Sequence, residues 1–188
     1  MRRASLVALI PTLLAAPQSA GTGAEAVVQR ARTLALERRS AEARSLIETE
    51  MQRARGAGDR LTECWMLFGT GLVLSAEHRL DAAVPFQEQA AELAAQLKDV
   101  RLEGLARAAL GHAQGVLGDL DKARVNLRAA ADRLEAAGEQ ERSAQAWFDY
   151  ARAEPNAAAR IANFEEAYQR AQRAGHVRLQ GRLLQDTG

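Results

Sequence analysis

The chain has little of what disulfide-linked, metal-binding or nucleic-acid-binding proteins normally require. Its 188 residues include a single cysteine, Cys64, which excludes an intramolecular disulfide and a thiolate metal cluster and predicts a buried structural thiol. Only four prolines occur, and aromatic residues make up 4%. The 25 basic and 24 acidic residues are interspersed, whereas a nucleic-acid-binding surface usually shows a basic stripe with stacking aromatics. The composition therefore argues against nucleic acid as a partner.

Catalytic and metal-binding patterns are also missing from the sequence. His78, His112 and His176 lie far apart, and none has a second type of metal ligand beside it at a suitable spacing. No glycine-rich phosphate loop precedes a lysine, and no nucleophile motif surrounds a serine or threonine. Adjacent carboxylates such as Glu165 and Glu166 diverge by about 100° on a helix. We therefore expect a protein that is not an enzyme and that needs no metal or cofactor.

The N-terminus differs in character from the rest of the chain. Arg2 and Arg3 precede an apolar stretch from Leu6 to Ala16, and small residues follow at positions 19–21. This layout predicts a secretory signal peptide over residues 1–20, too short to span a bilayer comfortably; an ordinary apolar helix is the alternative. With the signal we expect a periplasmic or secreted protein, and without it a cytoplasmic one. No other apolar run is long enough for a membrane span after signal removal.

The strongest pattern in the sequence is a repeat of forty residues. Leu80-Asp81-Ala82-Ala83 returns as Leu120-Asp121-Lys122-Ala123, and Gly71 returns as Gly111. A fixed period between 20 and 50 residues is typical of stacked-repeat architectures. Val, Ile and Thr are too thinly spread to indicate strands. The sequence therefore predicts an all-α fold of stacked antiparallel helix hairpins.

Turn residues divide the chain into these hairpins. Gly118 is predicted to end a first helix in the left-handed conformation, and Asp121 to cap the helix that follows. Pro155 is predicted to break another first helix, because proline lacks the amide donor. Gly71 and Gly111 lie within first helices, where glycine costs about 1 kcal/mol relative to alanine, so we expect close helix packing at both. The predicted repeat domain covers residues 24–188, with hairpins at 24–57, 59–98, 99–138 and 139–175 and a partial one at 176–188.

The last predicted hairpin stops within its first helix. Residues 178–188 align with residues 101–111, so that Gly188 falls at the position of Gly111. Repeat arrays normally finish with a polar capping helix, because an open end exposes apolar surface. We therefore expect that the sequence is truncated, and that further repeats or an effector domain once followed Gly188. Self-association through the open C-terminal end is a second expectation.

The repeated positions resemble the tetratricopeptide-repeat (TPR) family. In that family the first helix carries a large residue, Leu-Gly and an aromatic, and the second helix carries Ala, a large apolar residue and Ala. The residues that match are Leu110, Gly111, Ala123, Leu127 and Ala130 in the third hairpin, Gly71, Ala83 and Ala90 in the second, Trp147 in the fourth, and Val27, Ala31, Ala43 and Ile47 in the first. The forty-residue unit is similar to the long variety of bacterial signalling proteins. The resemblance implies a right-handed α-solenoid, with other two-helix repeats as the alternative.

The resemblance also implies a function. In TPR arrays the first helices line a concave groove that holds an extended or helical peptide, which predicts a non-catalytic scaffold for a protein or peptide partner. Carried over by position, the groove residues are Val28, Arg32, Trp65, Phe68, Leu72, Leu105, Ala108, His112, Phe148 and Arg152. The aromatic members act either as anchors for the partner or as core residues, and their burial decides between the two. Two other roles stay open, the recognition arm of a larger signalling enzyme (a caspase-like peptidase or a kinase) and a structural spacer.

Overall fold

A computed structural model describes residues 20–187, and this part of the chain forms nine α-helices and no strand. The helices are α1 Ala20–Leu36, α2 Ser40–Ala57, α3 Arg60–Ala76, α4 Leu80–Leu97, α5 Val100–Leu117, α6 Leu120–Ala136, α7 Gln140–Arg152, α8 Ala157–Arg173 and α9 Val177–Thr187. Each helix packs against its neighbours in the chain. The all-α class is therefore confirmed. The predicted signal peptide lies outside the described residues except for Ala20, which begins α1.

Short polar residues and glycines define where the helices begin and end. The side chains of Asp59 and Asp99 each accept a hydrogen bond from the backbone N–H three residues later, at 3.0 and 2.9 Å. Asp119 does the same at the start of α6, at 3.4 Å, so the prediction that Asp121 caps this helix is wrong. Asp121 lies within the first turn instead, where its negative charge interacts favourably with the positive end of the helix dipole. Gly118 has a φ of 90°, which confirms the predicted left-handed helix end.

Small residues form the seam between the two helices of a hairpin. Three alanines spaced forty residues apart are fully buried there: Ala43, Ala83 and Ala123. A Cβ added at Gly71 would lie 2.6 Å from Cγ of Gln87, and one added at Gly111 would lie 2.6 Å from Cγ of Leu127. Both distances are well inside van der Waals contact. The expected close packing at the two glycines is therefore confirmed.

The second helix of each hairpin packs on the first helix of the next, and in the first three hairpins the first helices also touch one another. Helix α1 packs on α3, and α3 touches α5, whereas α2, α4, α6 and α8 show no comparable packing on one another. Arg101 on α5 donates hydrogen bonds to Glu25 on α1 at 2.8 and 2.9 Å and also pairs with Glu139, just before α7. We call the surface of α1, α3, α5 and α7 the first-helix face and that of α2, α4, α6 and α8 the second-helix face. The helices α1, α3 and α5 therefore approach one another more closely than the second helices do.

Candidate partner-binding face

The forty-residue period places one residue of each hairpin in a row along the first-helix face. Arg32, Leu72, His112 and Arg152 occupy equivalent positions on α1, α3, α5 and α7. The two arginines and the histidine are exposed, and the leucine is half-buried. Among the residues that the structure describes, neither guanidinium forms an ion pair with a carboxylate. The row therefore presents cationic groups to solvent on both sides of a leucine.

Four of the predicted groove residues belong to the hydrophobic core instead. Their exposed fractions are 0% for Val28, 2% for Trp65, 5% for Phe68 and 1% for Phe148. Trp65 packs edge-to-face on Phe68 with ring centroids 6.0 Å apart, and Phe148 packs on Phe164 at 5.8 Å. The prediction that these side chains contact a partner is wrong, because they fill the space between neighbouring helices. The core-residue alternative for the aromatics is correct.

The remaining predicted residues stay accessible. Leu105 and Ala108 are half-buried on α5, and helical spacing places them on the same side of the helix as His112. Together with the row, they form a surface that is apolar in the middle and cationic towards its ends. We call these six residues the accessible groove: Arg32, Leu72, Leu105, Ala108, His112 and Arg152.

Asp149 lies on α7 beside the accessible groove, and it is not among the site residues predicted from the sequence. Its carboxylate accepts a hydrogen bond from Nε2 of Gln145 at 3.2 Å. Burial raises the pKa of Asp149, although the hydrogen bond from Gln145 and the nearby His112 act in the opposite direction. The repeat pattern carried no signal for this position, since Gly69 and Ala109 are its equivalents on α3 and α5.

A cavity of about 170 Å³ opens beside Asp149, between α5, the start of α6 and the end of α7. His112, Asp149 and Arg152 form its polar rim, so the cavity is continuous with the accessible groove. This arrangement combines a small depression with ionisable groups. No serine, threonine, cysteine or lysine is among the residues that line it.

A second cavity, of about 390 Å³, lies on the second-helix face between α2 and α4. Leu67 and Phe86 are among its lining residues. At the position equivalent to Leu67, helix α7 carries Trp147, whose ring lies between the guanidinium groups of Arg128 and Arg170, 4.4 and 4.6 Å from the centroid. The space between a first helix and the second helices beside it is therefore filled differently in different hairpins.

Cys64 and the acidic residues give no indication of a reactive or metal-binding centre. Cys64 is fully buried, donates a hydrogen bond to the carbonyl oxygen of Ala90 at 3.3 Å, and has its pKa raised by burial to about 12. A thiol with such a pKa is inert at neutral pH, which agrees with the predicted structural role. Among the side chains that the structure describes, those of residues 23–182, no three His, Cys, Asp or Glu are grouped as metal ligands. No helix between residues 20 and 187 has the length and apolar character needed to cross a bilayer.

Comparison with known proteins adds no relatives. No protein-family model matches this chain, and no curated protein sequence matches it significantly. The resemblance to the TPR family therefore depends on the repeated residues themselves and stays a prediction.

Proposed function

We propose that this protein is a non-catalytic protein-interaction scaffold, a right-handed α-solenoid of the TPR type that binds a peptide or partner protein in its concave groove. The observation that carries the proposal is the accessible groove, in which every complete hairpin contributes an equivalent solvent-facing position. The closer approach of α1, α3 and α5 supports the assignment of the first helices to the concave side. Exposed residues repeated at equal spacing are of use to an extended ligand that runs across the hairpins.

The charge of the accessible groove indicates the kind of partner it binds. Leu72 and Leu105 provide apolar contact, and Arg32 and Arg152 provide positive charge on the outer hairpins. Complementary charges speed association and set the register of a bound chain. Three steps between neighbouring first helices, each on the order of 10 Å, correspond to roughly nine extended residues. The expected ligand is therefore a segment of about that length with apolar residues in the middle and acidic residues at its ends.

The predicted leader supports a location outside the cytoplasm. If residues 1–20 are removed on export, the scaffold meets its partner in the periplasm or the medium. N-terminal sequencing of the protein recovered from cells tests this, and an intact Met1 or a purely cytoplasmic location would reject it.

Site-specific photo-crosslinking tests the binding function directly. Benzoyl-phenylalanine is placed at Leu72, in the accessible groove, or at Val125, which is 69% exposed on the second-helix face. In cells that express the protein from its native context, we expect discrete adducts from position 72 and none of the same mass from position 125. Identical adducts from both positions, or none from position 72, would reject the groove as a binding surface.

Charge reversal provides a second measurement with a matched control. Arg32→Glu combined with Arg152→Glu changes the accessible groove, and Arg53→Glu combined with Arg173→Glu makes the same change in net charge on the second-helix face. The side chains of the control pair are 75% and 65% exposed. We expect the adduct from position 72 to fall at least tenfold with the groove pair only. These surface changes are preferable to Phe68→Ala or Phe148→Ala, which would open core cavities and cost about 3–5 kcal/mol.

A further inference from the structure

We propose that the cavity beside Asp149 is a specificity pocket that accepts one leucine-sized apolar side chain next to a carboxylate. The inference rests on the proposed peptide-binding function and adds to it the residue type that sets the register of the ligand. The carboxylate belongs either to the C-terminus of the ligand or to an adjacent acidic side chain.

The pocket exists because residue 115 is a glycine, and helix packing does not require a glycine there. A Cβ added at Gly115 would meet only Cβ of Ala123 within 4 Å, at an ordinary distance of 3.7 Å. At Gly111, one turn earlier, the added Cβ would clash with Leu127 at 2.6 Å. Glycine inside a helix lowers its stability relative to alanine. Gly115 therefore carries this cost without a packing reason, and the space that it leaves is part of the cavity.

The floor of the pocket is apolar and of suitable size. Leu127 is buried, while Leu120 and Val116 are 39% and 61% exposed at the opening. An apolar cavity of about 150 Å³ is large enough to bind benzene, and this one measures about 170 Å³. It therefore has room for one branched aliphatic side chain. Covering the two exposed residues would add apolar contact on binding.

The charges around the rim favour an anion beside that side chain. The guanidinium groups of Arg152 and Arg182 both lie against the ring of Phe148, at 5.8 and 4.5 Å from its centroid, and His112 on α5 lines the cavity together with Arg152. Asp149 is the acidic group among the lining residues, and it is half-buried and hydrogen-bonded within α7. The described groups thus leave an excess of positive charge at the opening, and a carboxylate complements it.

The other described hairpins do not repeat this pocket. The position equivalent to Gly115 is Ala35 on α1 and Ser75 on α3. The Ser75 hydroxyl accepts a hydrogen bond from Nε2 of Gln87 at 3.3 Å, which closes the space between these helices. On the fourth hairpin the equivalent residue is Pro155, beyond the end of α7. A feature confined to one hairpin can determine which ligand residue is placed there.

Small probes separate the contributions of the side chain and the charge. Chemical shifts of the backbone amides are followed by ¹H–¹⁵N NMR during titration with N-acetyl-leucine, its neutral amide, N-acetyl-leucyl-aspartate α-amide (which keeps the side-chain carboxylate), or cationic leucine amide. We expect saturable shifts at Gly115 and Ala153 with both carboxylate probes, and at least threefold weaker binding of the neutral amide. The stronger carboxylate probe identifies the source of the anion. Tighter binding of the cationic probe, or absence of saturable shifts with every probe, would overturn the proposal.

Two variants fill or recharge the pocket, and one serves as a control. Gly115→Leu places a side chain in the cavity and should abolish the shifts, while Gly115→Ala should change the affinity by less than threefold. Leu120→Glu changes an exposed position and should weaken binding of N-acetyl-leucine at least tenfold. This variant keeps the test valid if Gly115→Leu does not fold. Binding of N-acetyl-leucine that survives both changes would overturn the proposal.

The crosslinking experiment distinguishes failure of the pocket from failure of the groove. If the probes do not bind but benzoyl-phenylalanine at position 72 still crosslinks a partner in the protein with its pocket unchanged, the pocket inference is wrong and the groove stands. If benzoyl-phenylalanine at position 72 crosslinks nothing, the proposed function is rejected as well.

Discussion

Two glycines on α5, Gly111 and Gly115, are expected to respond in opposite ways to replacement by alanine. One replacement should lower the free energy of unfolding, and the other should raise it. Gly111 and Gly115 lie one turn apart on one helix, and both face α6. A Cβ at position 111 would lie 2.6 Å from Cγ of Leu127 and 3.0 Å from the carbonyl oxygen of Ala123. A Cβ at position 115 would lie 3.7 Å from Cβ of Ala123. The first contact requires the backbone or a buried side chain to move, and the second is ordinary.

The magnitudes follow from two opposing effects. Alanine is more favourable than glycine inside a helix by about 1 kcal/mol at either position. Overpacking a close seam costs about 1–3 kcal/mol, and this cost applies at Gly111 only. We therefore expect Gly111→Ala to lower the free energy of unfolding by about 1 kcal/mol and Gly115→Ala to raise it by about 0.5–1 kcal/mol. The two variants should differ by about 2 kcal/mol.

Urea unfolding followed by circular dichroism measures this difference, and thermal melts should separate the variants by about 4–8 °C. Stacked hairpins need not unfold in one step, so amide hydrogen exchange within α5 and α6 provides the local measurement. If Gly111→Ala is as stable as Gly115→Ala, the seam at Leu127 is not closely packed and the reasoning is refuted. A loss of stability in Gly115→Ala would likewise contradict the space observed beside that residue.

Two further predictions concern the same region. Ala123→Leu should lower the free energy of unfolding by about 1–3 kcal/mol, because Ala123 is fully buried against the neighbouring helix. A melting temperature equal to that of the control variant Val125→Leu would contradict this. Burial raises the pKa of Asp149 above its ordinary value of 3.8, so the folded state binds this proton more tightly than the unfolded state, and stability is lost as pH rises through the folded pKa. Asp149→Asn should therefore raise the Tm at pH 7. The difference in Tm between this variant and the wild type should vanish below pH 3.8. A difference in Tm that does not change with pH would rule out burial of the Asp149 charge as its cause.

The accessible part of the groove was predictable because it depends on local periodicity. Arg32, Leu72, His112 and Arg152 share one phase of the helix repeat, so the period alone places them in a row. The same logic places Ala123 and its equivalents on the seam, because only a small side chain suits a close helix contact. Such patterns operate within one helix turn or one repeat, and a single sequence records them directly.

The sequence by itself determined the all-helical class, the turns near Gly118 and Pro155, and the small residues on the seams, because each depends on a few neighbouring side chains. Only the tertiary structure decided that Trp65, Phe68 and Phe148 belong to the core. Their depth depends on how closely the first helices of different hairpins approach, which no local pattern specifies. The same holds for the cavity beside Asp149, since its walls come from three helices whose separation is set by packing across the whole stack.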